Sequence, residues 1–159
     1  MTKGPEQSPA FEVRPINPPW APKLIADLAA LHQAGFDRPW SPESLRRTLD
    51  GKAVRSWAAF VSGDETRPVG FLTCQWLNQE AEILTFAVAP ALRRTGVGRA
   101  LLNAMVVSAK AEHLSRVFLE VEETNLGALR LYQRVGFVRC GCRKGYYAGK
   151  DAVVMEYSL

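Results

Sequence analysis

The sequence predicts a mixed α/β domain in which a mostly antiparallel central sheet is flanked by about four helices. Three observations predict this class. Four stretches carry apolar residues at helical spacing and are bounded by capping residues or glycines. Three strand-like runs in the first half follow one another across short polar turns, which is typical of an antiparallel meander. In the second half two helices alternate with a strand before two further strands close the chain.

The length of the chain supports one folding unit. It has 159 residues, enough for one domain with its own core. Residues 1–10, MTKGPEQSPA, are polar and contain two prolines, so we predict a flexible tail there. We predict a single domain over residues 11–159, without an internal repeat or linker.

The first half is predicted to contain two helices and four strands. The strand FEVRPI comes first, and a helix with Leu24, Leu28 and Leu31 on one face then runs to Gly35. The second helix, SPESLRRTLDG, begins with the Ser41 cap followed by proline and ends at its glycine. The predicted meander consists of the strands SWAAFVSG, PVGFLTCQWL and AEILTFAV.

The second half continues with the helix GVGRALLNAMVVSAKAEH, which has an apolar side, and with the strand RVFLEVE. The next helix, NLGALRLYQRVG, is predicted to be capped by Asn125 and ended by Gly136. The strands FVRCGCRKGYY and DAVVMEYSL close the chain.

Charge and cysteine content narrow the function classes. The net charge of +4 is too small to demand nucleic acid, and it suits a polyanionic small molecule or an acidic partner. No signal-peptide pattern and no apolar run of about 18 residues is present. Three cysteines make no disulfide framework, so we expect a cytoplasmic protein. From the small net charge and the missing apolar run we expect no direct contact with nucleic acid or with a membrane. His32 and His113 lack partners at metal-ligand spacing, so no metal is expected.

One turn combines glycines with arginines. In residues 87–102, AVAPALRRTGVGRALL, Gly96 and Gly98 lie two apart just before a helix. The first turn of a helix has unpaired backbone N–H groups and favours anions. Glycines let the backbone approach a diphosphate, and Arg93, Arg94 and Arg99 add fork-shaped cationic donors. The pattern favours an anion site, although a tight turn with surface arginines fits the same residues.

Two nucleotide-binding motifs come close to this turn. The phosphate-loop motif requires Lys-Ser/Thr after its last glycine, where this chain has Arg99-Ala100. The dinucleotide fingerprint G-x-G-x-x-G fits better, because Glu120 lies at about the distance of a ribose-binding acid. Leu101 replaces the third glycine, however, and the preceding strands are predicted to be antiparallel. Dinucleotide binding therefore stays a secondary alternative.

The same turn resembles the acyl-CoA signature of the GNAT N-acetyltransferases, V-x-P-x-x-(R/Q)-x-x-G-x-G/A. LEVEETNLGALRLYQRVGF is similar to the L-E-V-x-x-x-N-x-x-A-x-x-L-Y-x-x-x-G-F block of the bacterial ribosomal-protein-alanine N-acetyltransferases, the RimI type. RPWSPESL and GYYAGKDAVVMEY also resemble that branch. The resemblance runs from about residue 11 to the C-terminus. It implies a GNAT-like fold and acetyl-CoA as co-substrate, without a metal.

The resemblance also implies how acetyl-CoA is held. Loop N–H groups would hold the CoA pyrophosphate, and backbone N–H groups near residues 86–88, where strands of this family part, would meet the thioester oxygen. The asparagine that begins the next helix would contact CoA. The implied CoA-binding residues are Phe86, Ala87, Val88, Arg93, Arg94, Thr95, Gly96, Val97, Gly98, Arg99 and Asn125.

Acyl transfer to an amine also needs a base and an acid. Strand alternation places Phe118 and Glu120 on one face, where an acid among apolar neighbours is a candidate base, although a solvated strand acid fits equally. Tyr132 lies seven residues after Asn125 on one helix face, and a core tyrosine is the commoner use. The resemblance implies that Glu120 accepts a proton and Tyr132 gives one to the departing sulfur. Glu82 is the rival base, acting through water or electrostatically.

The acceptor groove is expected beside two aromatic segments. Trp40, Tyr146 and Tyr147 fit a groove or a core, and the resemblance places both segments beside the acceptor. Glu82 completes the predicted substrate-binding set. Two departures from the family pattern fall in this region: residues 122–123 are both acidic, and the loop after Tyr147 is short. Acid there would favour a basic peptide or a polyamine.

The expected function is transfer of acetyl from acetyl-CoA to a protein N-terminal α-amino group by direct attack in a ternary complex. The resemblance implies a ribosomal protein with an N-terminal alanine as acceptor, and we expect a monomer or weak dimer. Two alternatives stay open: acetylation of a small-molecule amine or polyamine, and a CoA-binding sensor or interaction module without turnover.

Overall fold

A computed structural model describes residues 10–147 and 149–159, apart from the side chain of Tyr147. The tail predicted for residues 1–10 lies outside the described residues except for residue 10. The elements in chain order are β1 (Phe11–Ile16), α1 (Pro22–Gly35), α2 (Pro42–Leu49), β2 (Val54–Val61), β3 (Pro68–Leu77), β4 (Glu80–Val88), a 3-10 turn (Pro90–Leu92), α3 (Val97–Ala111), β5 (Arg116–Glu122), α4 (Leu126–Val135), β6 (Val138–Tyr147) and β7 (Lys150–Ser158).

The seven strands form one sheet with the order β1-β2-β3-β4-β5-β7-β6. All neighbours are antiparallel except β4 and β5, which are parallel. This pair is joined through α3, because parallel neighbours need a crossover connection rather than a hairpin. The predicted fold class is therefore confirmed. The dinucleotide alternative is wrong for this fold, because that fingerprint belongs to a doubly wound parallel sheet.

Alternate residues of the strands face two separate apolar clusters. On β2, Trp57 and Ala59 belong to the cluster that contains the buried side of α3. Ala58 and Phe60 belong to the cluster that contains α1 and α2. Helices α3 and α4 thus cover one face of the sheet, and α1 and α2 cover the other. None of the helices in the described residues combines the length and apolarity needed to cross a membrane.

Local signals explain where the helices begin and end. The Ser41 hydroxyl accepts a hydrogen bond from the Ser44 backbone N–H at 3.1 Å and caps α2. Gly136, at φ +123°, follows the last residue of α4, as predicted. The predicted strand SWAAFVSG was too short at its start, because β2 begins at Val54.

An irregularity in β4 shapes the functional site. The pairing of β3 with β4 shifts between Thr73 opposite Thr85 and Cys74 opposite Ile83, which leaves Leu84 as an extra residue on β4. Such a bulge bends the strand that carries it and increases its twist. Beyond this point β4 no longer pairs with β5, so the bulge coincides with the place where the two strands part.

Candidate active site

Strands β4 and β5 separate after a short parallel ladder. The ladder ends where Glu82 lies opposite Phe118, and residues 83–88 have no partner on β5. Backbone N–H groups alternate between the two edges of a strand, so some of those in this segment face the opening. The separation expected near residues 86–88 is therefore present. These donors are available to a bound carbonyl or amide group.

The N-terminus of α3 lies just beyond the end of β4. Gly96 precedes the helix at φ +95°, a left-handed conformation that favours glycine, and no side chain among the described residues caps the first turn. Thr95 donates its hydroxyl hydrogen to the Leu92 carbonyl oxygen and closes the turn. Uncapped N–H groups and the helix dipole at this point suit an anionic ligand.

Three arginines surround this helix end. Arg93, Arg94 and Arg99 are exposed, and none of them forms a salt bridge within the described part of the chain. Their guanidinium groups are thus available to a phosphate, which they can bind with paired hydrogen bonds. The donor set fits the diphosphate of a nucleotide such as CoA.

The two glycines of the turn have different physical roles. A Cβ on Gly96 would meet no atom of the described residues within 4 Å, so this position needs glycine for its backbone conformation. A Cβ on Gly98 would lie 3.0 Å from Leu131 Cδ2 and 3.1 Å from Phe86 Cζ. The sequence suggested that both glycines open space for a diphosphate. At Gly98 the space that a side chain would fill is instead the packing between α3, α4 and β4.

Glu120 lies on the face of β5 that is opposite the α3–α4 cluster. Its neighbours Leu119 and Val121 are buried in that cluster, so alternation turns Glu120 toward the α1–α2 side. Its side chain is 18% exposed, and its Oε1 lies 3.1 Å from Arg143 Nε. The carboxylate is therefore largely sheltered from solvent while it keeps one cationic partner.

Glu82 shares a cleft with Glu120. The cleft has a volume of about 270 Å³ and is lined by Gln75, Leu77, Glu80, Ala81, Glu82, Phe118, Leu119, Glu120 and Val154. Glu82 is exposed and forms no salt bridge within residues 10–147 and 149–159. The structure thus brings both predicted carboxylates to one cleft beside the opening. Burial and ion pairing distinguish Glu120 from its rival.

Tyr132 lies on the other side of the opening. It is 7% exposed and belongs to the α3–α4 cluster, with its ring centroid 6.0 Å from that of Phe86 and 5.9 Å from that of Phe137. Phe86 is part of the unpaired segment of β4, so the tyrosine packs directly behind the opening. The candidate base and the candidate acid therefore approach the same gap from opposite faces of the sheet.

Asn125 caps α4. Its Oδ1 accepts a hydrogen bond from the Ala128 backbone N–H at 3.3 Å, as the plain cap interpretation predicts. This leaves the side-chain amide hydrogens available for another acceptor.

The predicted acceptor aromatics are only partly brought together. Tyr146 is 53% exposed, and the Arg143 guanidinium lies over its ring at 5.2 Å, so Tyr146 is linked to Glu120 through Arg143. Trp40 packs instead on the buried His32: their ring centroids are 5.0 Å apart, and the Trp40 backbone N–H donates to His32 Nδ1 at 3.1 Å. The side chain of Tyr147 lies outside the described residues.

Sequence reasoning missed two residues of this region. Arg143 pairs with Glu120 although the two residues are 23 positions apart in the chain, and no local sequence pattern indicates such a contact. His32 was considered only as a metal ligand, whereas burial lowers its pKa and its ring supports the segment that carries Trp40. The described residues contain no group of three or more His, Cys, Asp or Glu side chains that could hold a metal ion.

Comparison with known proteins agrees with this geometry. Residues 25–137 match the acetyltransferase (GNAT) family. A [ribosomal protein bS18]-alanine N-acetyltransferase from Haemophilus ducreyi is 32% identical over 137 residues, which cover 83% of this chain and 92% of that protein. The N-alpha-acetyltransferase RimI from Mycobacterium tuberculosis is 35% identical over 126 residues, which cover 76% of each chain.

Solved structures show the same fold. The ribosomal-protein-S18-alanine N-acetyltransferase from Escherichia coli superposes with a TM-score of 0.82 at 23% identity and covers 94% of both chains. Arabidopsis thaliana NAA60 in complex with acetyl-CoA superposes with a TM-score of 0.81 at 23% identity, covering 94% of this chain and 99% of that one. With the family match over residues 25–137, these findings show that the chain belongs to the GNAT family and is an N-acetyltransferase that uses acetyl-CoA.

Proposed function

We propose that this enzyme acetylates the N-terminal α-amino group of a ribosomal protein that begins with alanine. A [ribosomal protein bS18]-alanine N-acetyltransferase that is 32% identical over most of both chains supports this acceptor. A substrate that arrives as an exposed chain end also suits the cleft, which lies open to solvent beside Glu120.

The proposed CoA site follows the donors described above. The diphosphate would lie at the N-terminus of α3 among Arg93, Arg94 and Arg99. The pantetheine arm would run along the unpaired segment of β4, residues 86–88, and the Asn125 amide would donate to it. In this position the thioester carbonyl meets β4 backbone N–H groups, which can stabilise the oxygen as it gains charge.

The proposed chemistry uses one group on each side of the opening. Glu120 accepts a proton from the acceptor ammonium, directly or through water, so that a neutral amine attacks the thioester carbon. An α-ammonium has a pKa near 8, so this base has a modest task at neutral pH. Tyr132 donates its phenolic proton to the departing thiolate as the C–S bond breaks. The attacking nitrogen loses its second proton as the amide forms, and this proton restores the Tyr132 phenol, directly or through water. Glu82 supports the site electrostatically.

The observation that carries this proposal is the sheltered carboxylate of Glu120 on one side of the β4–β5 opening, with the buried Tyr132 on the other. A peptide panel tests it. The peptides share one basic sequence and differ only in the first residue: alanine, serine, methionine, or alanine whose amine is already acetylated. A polyamine is added as a small-molecule acceptor, and release of CoA is measured.

We expect turnover of the peptide with a free N-terminal alanine and none of the blocked one. Equal turnover of the blocked peptide would show that a lysine side chain is the acceptor and would overturn the α-amino assignment. Preference for the polyamine would favour the small-molecule alternative. Tight acetyl-CoA binding without turnover of any amine would favour a CoA-binding module.

A further inference from the structure

We propose that Arg143 is a positioning residue that holds Glu120 through one carboxylate oxygen and leaves the other oxygen for the acceptor amine. This inference rests on the proposed function, in which Glu120 is the base. Arg143 lies on β6, an edge strand that the CoA signature does not include. Within the described residues its contacts are with Glu120 on β5 and with the Tyr146 ring.

The register of the sheet explains how Arg143 reaches Glu120. In the order β5-β7-β6, Ala152 on β7 lies opposite both Glu122 on β5 and Arg143 on β6. Directly opposite residues point to the same face, so Arg143 shares the face of Glu122 and Glu120. The small side chain at position 152 lets the arginine extend across β7, and its Nε meets Glu120 Oε1 on the diagonal at 3.1 Å.

Glu122 is nearer in register, but it already has partners. Its Oε1 lies 2.9 Å from Lys150 Nζ and accepts the Thr124 hydroxyl hydrogen at 2.6 Å. These two contacts lower the pKa of Glu122, and the carboxylate in turn raises the pKa of Lys150. The charge of Glu122 is therefore already paired with that of Lys150, and the ion pair of Arg143 is with Glu120.

The Arg143 guanidinium also has an aromatic neighbour. It lies 5.2 Å from the centroid of the Tyr146 ring, a distance at which a cation is attracted to an aromatic face. Arg143 is 57% exposed, so an unsupported side chain of this length would lose its geometry to rotamer freedom. The contacts with Glu120 and Tyr146 together orient the guanidinium, and within the described residues the ion pair uses one Glu120 oxygen, Oε1.

The chemical consequence concerns the base. A carboxylate that must take a proton from a bound amine works best when its orientation is fixed before the substrate arrives. Arg143 fixes that orientation through Oε1, while the second oxygen stays free for the amine. A lysine keeps the charge but lacks the planar fork that stacks on an aromatic ring, so it should replace arginine only in part.

A double-mutant cycle tests this coupling on the full-length chain. Arg143→Gln, Glu120→Gln and the double variant are compared with wild type in single-turnover assays at saturating acetyl-CoA, with the most active acceptor of the peptide panel. Arg143→Lys tests rescue, and Arg143→Met is a second neutral variant in case the glutamine variant does not fold. Lys144→Ala, an exposed neighbour without a salt bridge in the described residues, is the matched control.

We expect Arg143→Gln to lower the acetyl-transfer rate about tenfold, within the range of coupling between contacting residues, while the acetyl-CoA Kd is unchanged. Arg143→Lys should recover part of the loss, and Lys144→Ala should match wild type. In the Glu120→Gln background the arginine substitution should have no further effect, because its partner is already lost.

Two results would overturn the inference and leave the proposed function intact: a wild-type rate in Arg143→Gln, or the same tenfold loss in both backgrounds. The second result would mean that Arg143 acts independently of Glu120. A wild-type rate in Glu120→Gln alone would instead overturn the base assignment on which both proposals stand.

Discussion

Gly98 is the position where the geometry predicts a stability effect most sharply. An alanine Cβ there would lie 3.0 Å from Leu131 Cδ2 and 3.1 Å from Phe86 Cζ, both too close for ordinary contact. Leucine can rotate, but the aromatic ring of Phe86 must shift. Overpacking of this kind costs about 1–3 kcal/mol, whereas alanine gains up to about 1 kcal/mol over glycine in a helix. We therefore expect Gly98→Ala to destabilise the protein by about 1 kcal/mol.

Gly127 is a matched control, because it is the second residue of α4 just as Gly98 is the second residue of α3. A Cβ on Gly127 would have no neighbour within 4 Å in the part of the chain that the structure describes. Gly127→Ala should therefore stabilise the protein by about 0.5–1 kcal/mol. Urea unfolding measures both variants. Equal stabilisation of the two would refute the assignment of Gly98 to packing, and an unchanged Gly98→Ala would mean that Phe86 and Leu131 yield freely.

Three further predictions concern the site and its surroundings. Tyr132→Phe should slow single-turnover acetyl transfer by about 10²-fold, while acetyl-CoA still binds. A rate within about threefold of wild type, which is about 0.65 kcal/mol of activation free energy, would mean that Tyr132 has a purely structural role. The double substitution Arg94→Ala with Arg99→Ala should raise the acetyl-CoA Kd about tenfold in calorimetry, because each arginine can donate hydrogen bonds to a phosphate. An unchanged Kd would contradict the assignment of the diphosphate site. Burial lowers the pKa of His32 below its usual 6.5, so this side chain takes up a proton more readily in the unfolded chain than in the folded one. The free energy of unfolding should therefore fall as the pH drops below about 6.5. His32→Asn should flatten this dependence in urea unfolding, and parallel curves for the two proteins would contradict it.

Local patterns predicted much of the fold. Asn125 and Gly136 marked the two ends of α4, because capping depends on residues within one turn. Alternation along RVFLEVE placed Glu120 on the face opposite Leu119, because the side-chain period of a strand is two. These predictions needed no knowledge of distant neighbours.

Contacts between strands could not be predicted from local sequence patterns. The extra residue Leu84 is visible only in the register between β3 and β4, and the opening that follows depends on it. The pairing of Arg143 with Glu120 depends on the order β5-β7-β6. Strands β5 and β6 are connected through α4, but β7 lies between them in the sheet. The packing role of Gly98 likewise depends on residues from two other elements.

The identity of the general base is the central claim, and the pH dependence of Glu120→Gln tests it most directly. The substitution keeps the size of the side chain and removes its capacity to accept a proton. Near neutral pH kcat/KM should fall by about 10²-fold, and the loss should shrink above about pH 9, where an α-amine with a pKa near 8 is neutral without help. Glu82→Gln, measured beside it, should retain most of the activity. A pH profile of Glu120→Gln that matches wild type, with the loss appearing in Glu82→Gln instead, would contradict this account.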